Sequence, residues 1–218
     1  MWEVITMVLL WVIIVAPVCA IFSAIYYLYP RYADKKRQEG IKRASLEIGF
    51  AYNQVADIEL PDLKLFNTGP SCRSKIKNLL TTTRNYIKWS IFDYEFTYNE
   101  ATQKQTVVMA QLTNNLPEFY LSREYFYHKL GEIIGFKDID FHDYPEFSER
   151  YRLTGPDENA IRQLFTPHVI LTITTQRLHA QIEAKDNFII AYTPGTRVEP
   201  ADLYRFSQKM SIIINLFK

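Results

Sequence analysis

The longest pattern in the chain is an uninterrupted one: positions 4 to 30 hold 27 consecutive residues without a charge. Coiled as a helix, that run extends roughly 40 Å, enough to cross a hydrocarbon core of about 30 Å with some tilt. Trp2 at one end and Tyr26, Tyr27 and Tyr29 at the other fall where amphipathic rings settle among lipid headgroups. Pro17 at mid-span predicts a kink that a membrane helix tolerates. No Lys or Arg precedes the run, and it continues past Val18-Cys19-Ala20, so it reads as a retained anchor and not a cleaved signal. Beyond it, residues 31–47 read as a helical stalk. Glu39 lies three and four positions before Lys42 and Arg43, and Gly49 stands where helices commonly end.

From residue 75 the period changes from helical to two. Residues 75–83, 86–98 and 105–113 predict a three-strand meander with turns at Arg84-Asn85 and through 99–104. In the second strand the apolar positions are first odd (Ile87, Trp89, Ile91) and then even (Phe92, Tyr94, Phe96, Tyr98). A regular strand cannot exchange faces, so a bulge or sharp twist is expected near residues 90–92. A short strand at 119–121 then feeds a helix through Ser122 as its N-cap, with Phe126, Leu130, Ile133 and Ile134 on one face and Gly135 at its end. Residues 151–153 feed another helix through Thr154-Gly155-Pro156-Asp157-Glu158. Pro117-Glu118-Phe119 and Pro145-Glu146-Phe147 echo each other and leave a duplication open.

Thr166-Pro167 predicts a helix start, although Val169, Ile170, Thr172 and Ile173 pull towards strand. Residues 179–184 and 188–192 predict a hairpin about Lys185-Asp186-Asn187. A final helix begins at Glu199-Pro200 and carries an apolar stripe of Leu203, Phe206, Met210, Ile213 and Phe217 that should cover the sheet. The fold class is therefore α+β: an N-terminal transmembrane helix, then a mostly antiparallel sheet packed by several helices, including an amphipathic C-terminal one. Its segments are a membrane anchor at 1–30, a basic juxtamembrane helical stalk at 31–48 and a cytoplasmic domain at 49–218.

Charge sets the orientation of the span. Arg31, Lys35, Lys36, Arg37, Lys42 and Arg43 follow it against two acids, Asp34 and Glu39, while the other flank holds only Glu3. The positive-inside rule then leaves the N-terminus outside and the C-terminal domain in the cytoplasm. The same six residues form a membrane-surface patch able to attract anionic headgroups at about 1 kcal/mol each. Residues 44–218 keep 19 basic and 21 acidic side chains, too little positive charge for nucleic-acid binding. Two cysteines are too few for a disulfide scaffold or a four-cysteine zinc site.

The sequence contains no glycine-rich phosphate loop, nucleophile elbow, His-Glu-x-x-His or Cys-x-x-Cys motif, so no cofactor or metal is implied. The densest polar run is Asp138-Ile139-Asp140-Phe141-His142-Asp143, followed by Glu146, Glu149, Arg150 and Arg152. In an extended segment Asp138, Asp140 and His142 share one side, a geometry open to a divalent cation or to acid–base work. The structural alternative pairs these acids with Arg150 and Arg152 around a loop, with Ile139 and Phe141 plugging the other side.

The segments Phe92-Asp93-Tyr94-Glu95-Phe96-Thr97, Asp138-Ile139-Asp140-Phe141, 145–151, 153–158, 161–167 and Tyr192-Thr193-Pro194-Gly195 resemble a family of uncharacterised bacterial single-span membrane-anchored proteins of unknown function. The resemblance covers residues 70–215 and implies a bacterial inner-membrane protein. It brings no activity, cofactor or substrate with it. The resulting expectation is a membrane-anchored, non-enzymatic interaction or scaffold domain whose partners are the lipid bilayer and another membrane or cytoplasmic protein. Its rivals are a membrane-proximal enzyme built on the Asp/His cluster and a module that binds lipid headgroups.

Overall fold

The computed structural model describes residues 2–53, 58–67, 72–98, 101–123 and 136–218. The chain forms two compact units, Met1–Ile41 and Lys42–Lys218. One helix, α1 (Trp2–Ile48), carries Pro17 and Pro30 inside it. Within it the segment Trp11–Ile48 is long and apolar enough to cross a membrane. Its apolar side chains are uncovered: Trp11, Ile13, Ile21, Phe22 and Ile25 are each more than half exposed.

The last part of α1 belongs to the second unit, where Ala44, Ser45 and Ile48 are buried. Gly49 ends the helix with a φ of +68°, a conformation that costs glycine nothing and other residues a steric clash. Four carbonyls at any helix end lack intrahelical donors. Arg84 meets this need from the neighbouring hairpin, its Nη2 donating to Ile48 O at 2.6 Å while the guanidinium rests over the Phe50 ring.

The second unit is an antiparallel sheet of β1 (Ala51–Asn53), β2 (Arg73–Arg84), β3 (Ile87–Tyr98), β4 (Ala101–Arg123), β5 (Tyr151–Thr154) and β6 (Gln181–Tyr192). The path runs β1-β2-β3-β4-β5, with β6 along the other edge of β4. Between β4 and β5 comes α2 (Pro145–Arg150). After β5 come α3 (Glu158–Leu164) and α4 (Pro167–Thr175), and α5 (Leu203–Ile214) follows β6 between two 3₁₀ turns. Asp157 caps α3 by accepting from Ala160 N at 3.0 Å. Thr166 caps α4 with Pro167 in the first turn, so capping chemistry overrides the β-branched run that follows.

Several local expectations are corrected. The bulge lies in β2, not in β3: Asn78, with a φ of 54°, and Leu79 together oppose Phe92, while β3 stays in regular register with β4 from Lys88 to Tyr98. β3 changes its apolar parity because both its faces are covered around residues 89–94, so alternation no longer marks a single inner face. Ser122 is a buried β4 residue and not a helix cap, and the helix expected at 124–135 lies outside the described residues. The 179–192 hairpin is instead one strand, β6. Its presumed turn at 185–187 lies opposite the irregular stretch of β4 between Gln111 and Phe119, where Pro117 has no N–H to contribute. Pro117-Glu118-Phe119 is strand while Pro145-Glu146-Phe147 is helix, which removes the duplication.

Both faces of the sheet are covered. On one, Leu63 and Leu65 from the 58–67 segment pack against Phe92, Tyr94, Val107 and Tyr192. On the other, Phe119, Leu121, Leu153 and Ile182 align in register, and Phe165 and Phe217 stack on Phe119 with ring centroids 5.1 and 5.4 Å away. Asn114 Nδ2 fixes this C-terminal segment by donating to Phe217 O at 3.1 Å. The buried stripe of α5 uses Leu203, Ser207, Met210, Ile213 and Ile214, and Phe206 lies at its half-exposed margin. Phe217→Ala should therefore cost about 3–5 kcal/mol, and Phe206→Ala only about 1 kcal/mol. Thermal and urea melts of the two variants check the ranking.

Candidate functional site

The register of the sheet builds a row of polar groups that the sequence does not display. Tyr120 on β4 stands opposite Thr154 on β5 and opposite Glu183 on β6, so the three side chains share one face. One step along the strand, Ser122 stands opposite Arg152. The face is the one that the 58–67 segment approaches, because Leu65 N donates to Glu183 Oε2 at 3.0 Å. Between that segment and the three strands lies a cavity of about 380 Å³ with Lys64, Tyr120, Thr154, Glu183 and Lys185 in its lining.

Glu183 is the least ordinary group here, a carboxylate only 2% exposed. Besides Leu65 N it accepts from Tyr192 Oη at 2.7 Å. Burial pushes its pKa up, since a charge removed from water is disfavoured; the Tyr192 and Leu65 hydrogen bonds and the nearby Lys64 oppose that shift. Burial, reinforced by Glu183, also raises the Tyr120 and Tyr192 hydroxyls, which are hydrogen-bonded to each other. Lys64 places its Nζ 4.9 Å above the Tyr120 ring centroid. Burial lowers its pKa and Glu183 works against the shift. At the cavity rim Lys185 Nζ lies 2.8 Å from Asp62 Oδ2 and 3.6 Å from Glu118 Oε2. The Lys185 hydrogen bond holds Asp62 below its ordinary pKa, and the Asp62 hydrogen bond raises Lys185.

The acidic run singled out in the sequence lies elsewhere and belongs to no strand. Residues 136–141 form a loop that turns at His142-Asp143 into α2. Asp138 Oδ1 accepts from Leu153 N at 3.1 Å, and Asp140 O accepts from Arg162 Nη1 at 2.9 Å. Asp140 and His142 are exposed along a separate shallow depression with Phe141, Ser148 and Glu149. Arg150 pairs with Glu146 at 2.7 Å. Among the described residues no three His, Cys, Asp or Glu side chains form a group able to hold a metal ion. In the basic segment Arg31, Lys35, Lys36, Lys42 and Arg43 are exposed and Arg37 is half-buried.

None of the cavity residues stands out in the sequence, because they come from five separate segments and only strand pairing brings them together. The one available signal was an acid inside an apolar strand, Ile182-Glu183-Ala184, which a two-stranded hairpin would have turned to solvent.

No protein-family model matches the chain, and no curated protein matches it. Among solved structures, the crystal structure of the mycobacterial trehalose monomycolate transport factor A, TtfA, matches with a TM-score of 0.52 at 13% identity, over 83% of this chain and 96% of that one. The two proteins share a fold.

The buried carboxylate predicts a pH signature. A carboxyl whose pKa rises on folding contributes stability that is complete below its unfolded value, near 4.5, and is lost as pH climbs through the folded value. Glu183→Gln removes this dependence while keeping the side chain's shape. Melting temperatures measured from pH 4.5 upward should therefore shift steadily in favour of the glutamine variant.

Proposed function

We propose that this chain is a single-span membrane protein of the bacterial inner membrane whose C-terminal domain serves, without catalysis of its own, as a docking module in the cytoplasm beside the bilayer. The observation that carries the reading is α1: an apolar helix long enough to cross a bilayer, with none of its span window buried against the protein. Uncovered apolar side chains on this scale call for a hydrocarbon environment. Arg31, Lys35, Lys36, Arg37, Lys42 and Arg43 follow the apolar run and favour the cytoplasmic side for the domain. The structural neighbour is named as a transport factor, and an accessory role for this domain, recruiting a protein partner to the membrane, is consistent with that.

The enzymatic reading would need Asp138, Asp140 and His142 to act together. Asp138 is committed to the Leu153 amide, while Asp140 and His142 lie in the open. That arrangement supports a structural role for the turn.

Two measurements test the proposal. A reporter active only outside the cytoplasm, fused after Lys218, should be silent in cells whose membrane fraction holds the protein; activity of that fusion would reverse the topology. Millimolar Mg²⁺, Mn²⁺ or Ca²⁺ should leave the melting temperature of the full chain unchanged. A cation-dependent rise that Asp140→Asn abolishes would instead promote the acidic turn to a site.

A further inference from the structure

We propose that the outer edge of β2 at residues 73–76 takes up an acidic, extended segment of a partner protein as an added strand, whose carboxylates meet the basic side chains beside that edge. The proposal rests on the reading of this domain as a docking module and names the chemistry of what docks. Strand pairing supplies the first argument. β1 covers β2 only at Leu79, Leu80 and Thr81, while β3 runs along the other edge of β2 from Arg73 onwards. Among the described residues no strand meets residues 73–76 on the β1 side. A row of backbone N–H and C=O groups at a sheet edge is a template for a further strand.

Charge supplies the second argument and selects the occupant. The two-residue period sends Arg73, Lys75 and Lys77 to one face of the sheet and Ser74 and Ile76 to the other, where Ile76 packs against the buried cluster. On the first face Lys75 stands opposite Glu95, and Glu95 stands opposite Lys104. Glu95 gathers three cations: Lys77 Nζ at 3.3 Å, Arg197 Nη1 at 3.6 Å and Lys104 Nζ at 3.7 Å. Asp93, opposite Lys77, is buried and accepts from Asn78 Nδ2 at 2.8 Å and from Thr106 Oγ1 at 3.0 Å.

Among the described residues, Arg73, Lys75, Lys77, Lys104 and Arg197 therefore share this face with only Asp93 and Glu95, and both acids are buried while Arg73 and Lys75 are exposed. Glutamates or aspartates on an added strand would balance the surplus. A second copy of this edge would set like charges against each other, which disfavours self-pairing. An anionic lipid surface has the charge but no strand backbone to answer the edge.

The test uses the full chain in phosphatidylcholine nanodiscs and a short labelled peptide that alternates glutamate with valine, followed by fluorescence anisotropy. Saturable binding that weakens with salt is expected, and the counterpart peptide with lysine for glutamate should not bind. Arg73→Glu combined with Lys75→Glu changes two exposed side chains, so the variant should keep a cooperative melt and bind about tenfold more weakly. Glutamate peptides N-methylated at every second backbone nitrogen, in each of the two phases, probe the strand itself. A strand offers only alternate N–H groups to one neighbour, so one phase should abolish binding and the other preserve it.

The proposal is overturned by the absence of saturable binding, by equal binding of the lysine peptide, by equal behaviour of the two N-methylated phases, or by undiminished binding of the double variant. Displacement of the peptide by short-chain phosphatidylglycerol at equal concentration would assign the face to lipid and overturn it as well. The topology and cation measurements do not involve β2, so failure of the docking role and failure of this site are read separately.

Discussion

A strand of 23 residues, Ala101–Arg123, makes a demand that organises the whole domain: its backbone N–H and C=O groups must all find partners once they leave water. β3 satisfies one edge along the first half of the strand and β5 along part of the second, while β6 runs down the opposite edge. Both faces of the sheet built on this strand are covered by chain outside the strands. The 58–67 segment closes one, and the helices with the Phe217 turn close the other. Where the two long strands fall out of step, between Gln111 and Phe119, three successive β4 residues, 113–115, are exposed and Pro117 interrupts the donors. The irregularity bends the sheet without breaking it.

The same pairing explains why the cavity forms where it does. Beyond the irregular stretch, β4 and β6 regain register at Phe119↔Ala184 and Tyr120↔Glu183. This sends Phe119 to the aromatic cluster and Tyr120 to the polar row. Gly155, just past β5, passes so close to β4 that a Cβ there would clash with Glu118 O and the Ile161 side chain. A glycine at this position is thus a condition for β5 to lie against β4, and for Thr154 to reach the cavity.

Much of the architecture was legible in the sequence, for identifiable reasons. The long apolar N-terminal helix was readable because a 27-residue uncharged run favours a continuous helix over a sheet strand. The meander was readable because its strands are separated by short polar turns, and α4 because Thr166-Pro167 writes a cap directly into the chain. The hairpin expected at residues 179–192 failed because local turn chemistry was allowed to end a strand, and the bulge expected in β3 failed because a strand covered on both faces loses its alternation. Lys185-Asp186-Asn187 has the composition of a hairpin turn, and Asp186 does adopt a φ of 53°. A neighbouring strand with its own extra residues absorbed that kink. The site was legible only as an acid within the apolar Ile182-Glu183-Ala184, since Lys64, Tyr120, Thr154, Glu183 and Tyr192 become neighbours only through long-range register, which no periodicity encodes. The acidic run drew attention because charges adjacent in sequence are conspicuous, whereas a buried carboxylate is recognised only by what surrounds it.

The opposite characters of the two faces carry a further consequence for how the chain avoids misassembly. Sliding β6 by one residue along β4 would exchange the faces of all its side chains. Glu183 would then turn into the rings of Phe119, Phe165 and Phe217, and Ile182 and Ala184 would turn towards Lys64. An unpaired charge among aromatic rings is among the most unfavourable placements a fold can offer. The buried glutamate thus works as an alignment key: it contributes little to how tightly the correct pairing holds, and a great deal to how completely the neighbouring pairing is refused.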